Sequence, residues 1–159
     1  GALKIAADYR MPAFYINPKE FSSKSEYEQK LVELLKEHQT DLVVAAGFMR
    51  LLSATFLTPF KNRVINIHPA LLPAFPGLHA QRQAVEYGVK LAGCTVHFVD
   101  EGMDSGPIIL QSAVEVRPED TEEELAARII KEEHQILPKA VKLICSDKIN
   151  IASRKVYIK

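Results

Sequence analysis

The feature that most constrains this chain is an amphipathic segment that leads directly into a short apolar run. Residues 22–39 have a capping-box pattern at Ser23 and Glu26. They also carry side chains at helical spacing on one face, namely Tyr27, Leu31, Leu34, Leu35 and His38. Residues 41–48 read DLVVAAGF, which is typical of a strand buried on both faces, as in a parallel sheet. A helix that leads into a buried strand is the building unit of an α/β fold.

The remaining segments extend this α/β pattern. Two of the predicted strands are separated only by the turn at residues 100–107, which is too short for a parallel crossover, so we expect them to pair antiparallel. We therefore predict an open, mostly parallel, Rossmann-like sheet flanked by helices, with antiparallel edge strands. We predict strands at 63–68, 93–99 and 108–116, and a hairpin within 148–159. A helix is predicted at 80–87 and ends at Gly88. A long helix is capped by Thr121 and Glu124 and kinked at Pro138, and one of its faces carries Leu125, Ile129, Ile136 and Val141.

Length and composition exclude several classes of protein. A chain of 159 residues corresponds to a single domain, 1–159. Its 20 basic and 20 acidic residues cancel, so no general positive field favours nucleic acid, and no apolar run reaches the roughly 20 residues that a membrane span needs. Cys94 and Cys145 are far apart in the sequence, which favours two reduced thiols and a cytoplasmic location.

Two polar residues interrupt the strand predicted at 63–68. Side chains alternate along a strand, so Asn66 and His68 share one face and lie roughly 6 to 7 Å apart along it. They are at the carboxyl end of the strand, where ligands bind in open α/β sheets. The alternative is an ordinary strand terminus at which both side chains cap the loop backbone.

Two neighbouring segments favour a functional reading of this pair. Residues 69–79 contain Pro69, Pro73, Pro76 and Gly77, which predicts a stiff loop that holds the pair in place. Asp104 lies in the turn between the two antiparallel strands, where it either points into a cleft or simply favours the bend. An amide donor, an imidazole and a carboxylate together suit acyl transfer, because they can stabilise an oxyanion and move a proton.

Other motifs are absent or weaker. The sequence has no H-E-x-x-H motif, no paired-Cys spacing, no G-x-G-x-x-G and no Walker loop, so we expect no metal site and no standard phosphate loop. For the other four histidines, structural roles are the simpler interpretation; these are His38, His79, His97 and His134.

Four ordered motifs, AGFMRLL, INIHPALLPAFPGLHA, GCTVHFVDEGMDSGPIILQ and EEHQILP, closely resemble the phosphoribosylglycinamide formyltransferases, a folate-dependent family of purine biosynthesis. The resemblance implies formyl transfer from 10-formyltetrahydrofolate to the primary amine of glycinamide ribonucleotide. It implies that Asn66, His68 and Asp104 are the catalytic residues. It also implies that folate contacts Asn66 and Asp104 together with Met49, Arg50, Leu51, Leu52, Asp100, Glu101, Gly102 and Met103.

The same resemblance implies further roles. Lys24 would lie at the folate entrance, where the family often has Arg, and Glu133 would hold the ribonucleotide. Gly77 and the antiparallel turn would help to close the folate pocket. In the family a strand, a Gly-rich turn and a helix come first and bind the phosphate, and this sequence begins after them, so we expect the phosphate-binding segment to be missing. We expect a monomer or a homodimer.

Three readings stay open at this stage. The first is the ribonucleotide formyltransferase. The second is another folate-dependent formyl enzyme with the same three residues, such as a formyltetrahydrofolate hydrolase or a methionyl-tRNA formyltransferase. The third is a folate-binding fragment without catalysis.

Overall fold

The computed structural model describes residues 1–159 and contains a four-stranded sheet, a separate two-stranded hairpin and five α-helices. A 3-10 turn lies at Pro18–Glu20. The helices are α1 (Ala2–Asp8), α2 (Lys24–Glu37), α3 (Ala54–Leu57), α4 (Ala80–Tyr87) and α5 (Glu122–Cys145). The strands are β1 (Val43–Val44), β2 (Val64–His68), β3 (Leu91–Phe98), β4 (Ile108–Glu115), β5 (Ile149–Ala152) and β6 (Lys155–Ile158).

The main sheet has the strand order β1-β2-β3-β4. The α/β class, the flanking helices and the antiparallel edge are confirmed. Within these four strands β1 pairs with β2 in parallel, whereas β2–β3 and β3–β4 are antiparallel, so the antiparallel share is larger than we expected. The physical reason is the connection after β2, because residues 69–79 and α4 return the chain to the end of the sheet where β2 finishes.

The first strand is shorter and less buried than its sequence predicts. Of the apolar run 41–48, only Val43–Val44 form a strand, and the expectation of burial on both faces is wrong because the Val44 side chain is 41% exposed. Its outer edge pairs with no other strand, so β2 supplies the one neighbour that this segment has. Val43 packs against apolar residues of α2 and α3, whereas Val44 belongs to neither apolar cluster of the protein, so one face of this strand is uncovered.

Two apolar clusters hold the layers together. The larger one lies between α5 and the sheet, where Ile65, Val96 and Leu125 are almost completely buried. The smaller one joins α2 and α3 to the start of β2, through Val32, Phe56 and their neighbours. The sheet thus has a sealed face toward α5, and its other face is available for a site.

The predicted helix caps are present, with one change of partner. Thr121 and Glu124 form a reciprocal capping box, and α5 continues through Pro138 to Cys145. The Ser23 hydroxyl accepts the Glu26 N–H at 3.2 Å, but the Glu26 carboxylate accepts from Ser22 instead of completing the box. No helix of the structure has both the length and the apolar character needed to cross a membrane.

Two adjacent isoleucines in α5 allow a matched test of this packing. Ile129 is 1% exposed in the larger cluster, whereas Ile130 is 47% exposed. We expect Ile129→Ala to lower the free energy of unfolding by about 2 to 5 kcal/mol, because it removes buried methyl groups and leaves a cavity. Ile130→Ala should change it by less than about 0.5 kcal/mol, as is usual at exposed positions. Urea unfolding of both variants measures this, and equal losses would contradict the assigned helix face.

Candidate active site

The face of the sheet away from α5 carries a row of polar side chains. Asn66 on β2 is opposite His97 on β3, and His68 is opposite Thr95, so all four side chains lie on one face. A cavity of about 480 Å³ opens above this row. Its lining includes Asn66, His68, His97, the segment 47–52 after β1, residues 77–79 and the turn around Asp104.

A buried polar network holds residues 69–79, the proline-rich loop, against the sheet. The Thr95 hydroxyl donates to the Ala70 carbonyl at 2.7 Å and accepts the Leu72 N–H at 3.1 Å. The Gln111 side-chain amide donates to the Leu72 carbonyl and to the Thr95 hydroxyl, each at 3.0 Å. Because these bonds satisfy the backbone of a loop that has no regular structure, they fix its position over β2 and β3.

The loop in turn determines the orientation of His68. The His68 Nε2 atom lies 2.8 Å from the Phe75 carbonyl oxygen. A carbonyl can only accept, so Nε2 carries a proton and donates it. The other ring nitrogen, Nδ1, lies 3.4 Å from Oδ2 of Asp104. Nδ1 is therefore the ring atom available for proton transfer, and it faces the Asp104 carboxylate.

Asp104 connects three parts of the site. Its backbone is in the left-handed region, with φ of +50°, and its side chain turns inward from the turn. Oδ2 accepts the Gly77 N–H at 2.8 Å, and Oδ1 lies 3.6 Å from Nε2 of His97. The carboxylate therefore links the proline-rich loop to the ends of β2 and β3.

His97 is a member of the site that the sequence interpretation missed. Its Nδ1 donates to the Phe98 carbonyl at 2.8 Å, and its Nε2 is buried without a hydrogen-bond partner. Burial lowers the pKa of His97, so the ring is neutral and Nε2 is an acceptor that faces the acceptor Oδ1 of Asp104. Two facing acceptors suit an N–H or O–H donor between them. The register of Asn66 with His97 is the signal that identifies it, and this register exists only once β2 and β3 pair.

Most of the residues expected at the site line the cavity. The structure brings together Asn66, His68 and Asp104 as expected. Gly77 also lines the cavity, and so does His79, for which we expected only a structural role. The expected contact residues in the lining are Met49, Arg50, Leu51, Leu52, Asp100, Gly102 and Met103.

Three expected residues lie outside this lining. The Lys24 ammonium is 3.7 Å from the buried carboxylate of Glu28, one turn further along the same helix, so the Lys24 side chain lies along α2. Glu101 is exposed at the tip of its turn. Glu133 is half-buried on α5, and burial raises the pKa of its carboxyl.

Glu28 itself was not expected to be buried. It is 1% exposed, on the face of α2 that the pattern assigned to apolar residues. Its carboxylate accepts the Ser53 N–H at 3.0 Å and also the Ser53 hydroxyl, so it joins α2 to the start of α3 below the cavity segment 49–52. A buried carboxylate is tolerated because these donors replace water.

The remaining reactive groups do not form a second site. Burial, followed by the nearby Glu133 and Glu132 carboxylates, raises the pKa of Cys94 to about 12, so its thiol is protonated and unreactive near neutral pH. No group of three or more His, Cys, Asp or Glu side chains is arranged to hold a metal ion.

The structure is an α/β fold with a cluster of polar side chains at the carboxyl end of β2. A family model described as formyl transferase matches residues 2–141. The chain belongs to this formyl transferase family.

The similarity extends to particular relatives. The chain is 47% identical over 137 residues to a phosphoribosylglycinamide formyltransferase of Bacillus subtilis, which covers 86% of this chain and 70% of the relative. It is 48% identical to a trifunctional purine biosynthetic protein of Drosophila melanogaster, and that match covers 89% of this chain but only 10% of the longer relative.

Solved structures agree with this assignment. A glycinamide ribonucleotide transformylase from Symbiobacterium toebii superposes with a TM-score of 0.96 at 50% identity, and the match covers 98% of this chain and 74% of the other. A formyltetrahydrofolate deformylase from Pseudomonas syringae is also similar, with a TM-score of 0.89 at 30% identity, covering 98% of this chain and 52% of the other.

The buried ring of His97 predicts an acid-sensitive term in stability. The ordinary His pKa is 6.5, and burial lowers that of folded His97, so below pH 6.5 the unfolded chain binds more protons than the folded chain. This contribution to stability is present above pH 6.5 and is lost as the pH falls, by at most about 1.4 kcal/mol per pH unit. His97→Gln should therefore show a shallower loss of unfolding free energy between about pH 6.5 and 5 than the unsubstituted chain does. Urea unfolding across this range measures it, and parallel pH profiles would refute the assignment.

Proposed function

We propose that this protein transfers a formyl group from 10-formyltetrahydrofolate to the primary amine of glycinamide ribonucleotide, a reaction of purine biosynthesis. The observation that carries the proposal is the cluster of Asn66, His68 and Asp104 at the base of a cavity in a formyl transferase fold. The names of the Bacillus subtilis and Symbiobacterium toebii relatives support the same substrate.

The cavity fits a bulky, partly apolar donor. At about 480 Å³ it is within the range of small-molecule sites, which bury most of a ligand behind an apolar lining with a few polar groups. Met49 and Met103 present flexible apolar side chains to it, suited to a ring system. The unpartnered Nε2 of His97 and Oδ1 of Asp104 suit an entering N–H donor.

The chemistry requires a neutral amine and stabilisation of an oxyanion. A free α-amino group has a pKa of about 7.7 to 8.0, so an amine of this kind is partly neutral and nucleophilic near pH 7.5 without a strong base. When bound, 10-formyltetrahydrofolate supplies the formyl carbon and accepts a proton on its leaving nitrogen. A new carbon–nitrogen bond forms to the amine, and the bond from the formyl carbon to the folate nitrogen breaks.

Each of the three residues has a separate task in this reaction. The Asn66 side-chain amide donates a hydrogen bond to the developing oxyanion. His68, with Nε2 held by the Phe75 carbonyl, donates from Nδ1 and delivers that proton to the leaving nitrogen. Asp104 faces Nδ1 of His68 and orients its ring, and its Oδ1 is positioned to accept the proton that the attacking amine loses.

Further assignments belong to the same proposal. We assign the folate contact to the segment 49–52 and the turn 100–104, and a ribonucleotide contact to Glu133. Lys24 and Glu101 stand outside the cavity lining, so we give them at most peripheral contacts at its rim. The proposed setting is the cytoplasm, which agrees with two free cysteines, and the chain would act as a monomer or a homodimer.

A second candidate is hydrolysis of the same folate, favoured by the similarity to the Pseudomonas syringae deformylase. The two reactions differ only in whether an amine or water attacks the formyl carbon. Incubation with 10-formyltetrahydrofolate, with and without glycinamide ribonucleotide, distinguishes them. Formylated ribonucleotide is the expected product. Formate released at the same rate in both mixtures would favour the hydrolase, and folate binding without either product would reduce the chain to a binding fragment.

Substitution of the three residues tests the assigned roles. We expect Asn66→Ala, His68→Ala and Asp104→Ala each to fold and to lower kcat by about 10²- to 10³-fold, the usual cost of losing one preorganised donor or its partner. Matched controls are Asn150→Ala and His134→Ala, which remove exposed side chains outside the cavity and should leave kcat unchanged. Turnover close to that of the unsubstituted protein in any of the three variants would remove that residue from the mechanism.

Two glycines with the same backbone conformation allow a matched test of the cavity wall. Gly77 and Gly88 have φ of +84° and +75°, so Ala is strained by about 1 kcal/mol at either position. A Cβ at Gly77 would lie 2.8 Å from Sδ of Met103, whereas one at Gly88 meets nothing within 4 Å.

We therefore expect Gly77→Ala to displace Met103 and to raise the dissociation constant for 10-formyltetrahydrofolate about tenfold, roughly the effect of one lost contact. Gly88→Ala should leave binding unchanged. Calorimetric titration of both variants measures this difference. Equal affinities would show that this wall of the cavity does not contact the folate.

A further inference from the structure

The turn at residues 100–105 carries Asp104 but has few attachments to the rest of the protein. Within the turn, Oδ1 of Asp100 accepts the Gly102 N–H at 3.1 Å and the Ser105 hydroxyl at 2.6 Å. These bonds shape the turn without anchoring it. Side-chain or backbone bonds to distant segments number two, one from the Gly77 N–H to Asp104 and one from Arg154 to the Ser105 carbonyl.

The second attachment comes from a distant part of the chain. Arg154 lies in the turn between β5 and β6, and its Nη2 donates to the Ser105 carbonyl oxygen at 2.8 Å across 49 residues of sequence. The bond is formed with the residue directly after Asp104. It is charge-assisted, which makes it stronger than a neutral hydrogen bond of the same length.

The hairpin that presents Arg154 is itself packed. Ile149, Ile151 and Val156 contact the large apolar cluster beneath α5, and β6 also contacts β4. The Lys159 N–H donates to the Lys148 carbonyl at 2.9 Å and closes the open end of the hairpin. Arg154 is thus held by a base that is anchored in the core, although its own side chain is exposed.

We propose that Arg154 is a positioning residue for the reaction: it holds the turn 100–105 in the conformation that places the Asp104 carboxylate beside His68. Its action passes through the Ser105 carbonyl and the backbone of Asp104, without contact to substrate. The effect on turnover rests on the proposed formyl transfer, whereas the effect on the turn and on His68 does not. The β5–β6 hairpin thereby helps to position the Asp104 carboxylate.

The left-handed backbone of Asp104 makes this support important. A non-glycine residue with φ near +50° is uncommon and is kept in place by its surroundings. When one of the two hydrogen bonds from the turn to distant segments is removed, conformations with Asp104 turned away from His68 become more populated. Because the guanidinium is exposed, we expect a change of about three- to tenfold, as for an ordinary hydrogen bond and below the range for a bond to a charged group.

The experiment compares Arg154→Ala with Lys155→Ala, which removes the same charge from the next residue of the hairpin. Arg154→Lys keeps the charge but replaces the planar guanidinium by a single ammonium. Three readouts are measured on the full chain: hydrogen exchange of the Gly102 and Gly77 amides, whose N–H groups bond to Asp100 and Asp104 of the turn, the ¹⁵N shifts of the His68 ring, and kcat with KM for each substrate.

For Arg154→Ala we expect exchange about three- to tenfold faster at the Gly102 and Gly77 amides, altered His68 ring shifts, and kcat lowered by a similar factor with KM for the amine unchanged. Arg154→Lys should give exchange rates and kcat between those of Arg154→Ala and those of the unsubstituted protein. Lys155→Ala should match the unsubstituted protein. Unchanged turn exchange and His68 shifts in Arg154→Ala would overturn the proposal, as would faster exchange spread evenly over the main sheet. If no variant, nor the unsubstituted chain, transfers formyl groups, the proposed function fails, and the first two readouts still decide the role of Arg154.

Discussion

The carboxylate of Asp104 is the contact on which the arrangement of the site depends. It accepts the Gly77 N–H from the proline-rich loop and faces His68 from β2 and His97 from β3. β2 and β3 pair in the sheet at this point, whereas the loop at Gly77 and the turn that carries Asp104 lie outside that pairing. Because the carboxylate is mostly buried, it depends on the Gly77 N–H that it accepts, so the positions of the loop and of the turn depend on each other.

The proline-rich loop connects the core of the protein to the imidazole of His68 and holds that ring in place. Thr95 and Gln111 hold its first half, and the Phe75 carbonyl in its second half determines which nitrogen of His68 is protonated. The position of a proton at the site is thus decided by backbone that is fixed by residues several ångströms away. Such preorganisation is what electrostatic stabilisation of an oxyanion requires, because the donors need not reorient during the reaction.

Local patterns were sufficient where the structure depends on neighbours in sequence. The caps at Ser23 and Thr121, the end of α4 at Gly88 and the shared face of Asn66 and His68 all follow from spacing over two to four residues. The burial of the apolar run 41–48 was overestimated, since burial of a strand depends on the layers that pack against its two faces. The interior position of Glu28 was also missed, because Ser53, its partner, lies 25 residues away.

The sequence by itself indicated the α/β class, the polar pair at the end of β2 and, from its place in the turn between two strands, Asp104 as a third candidate. The tertiary structure alone decided that His97 joins them, that Lys24 turns to Glu28 and that Arg154 reaches the turn that carries Asp104. The reason is physical. Periodicity and capping report interactions within a few residues, whereas these contacts depend on strand register and on the packing of segments that are far apart in the chain.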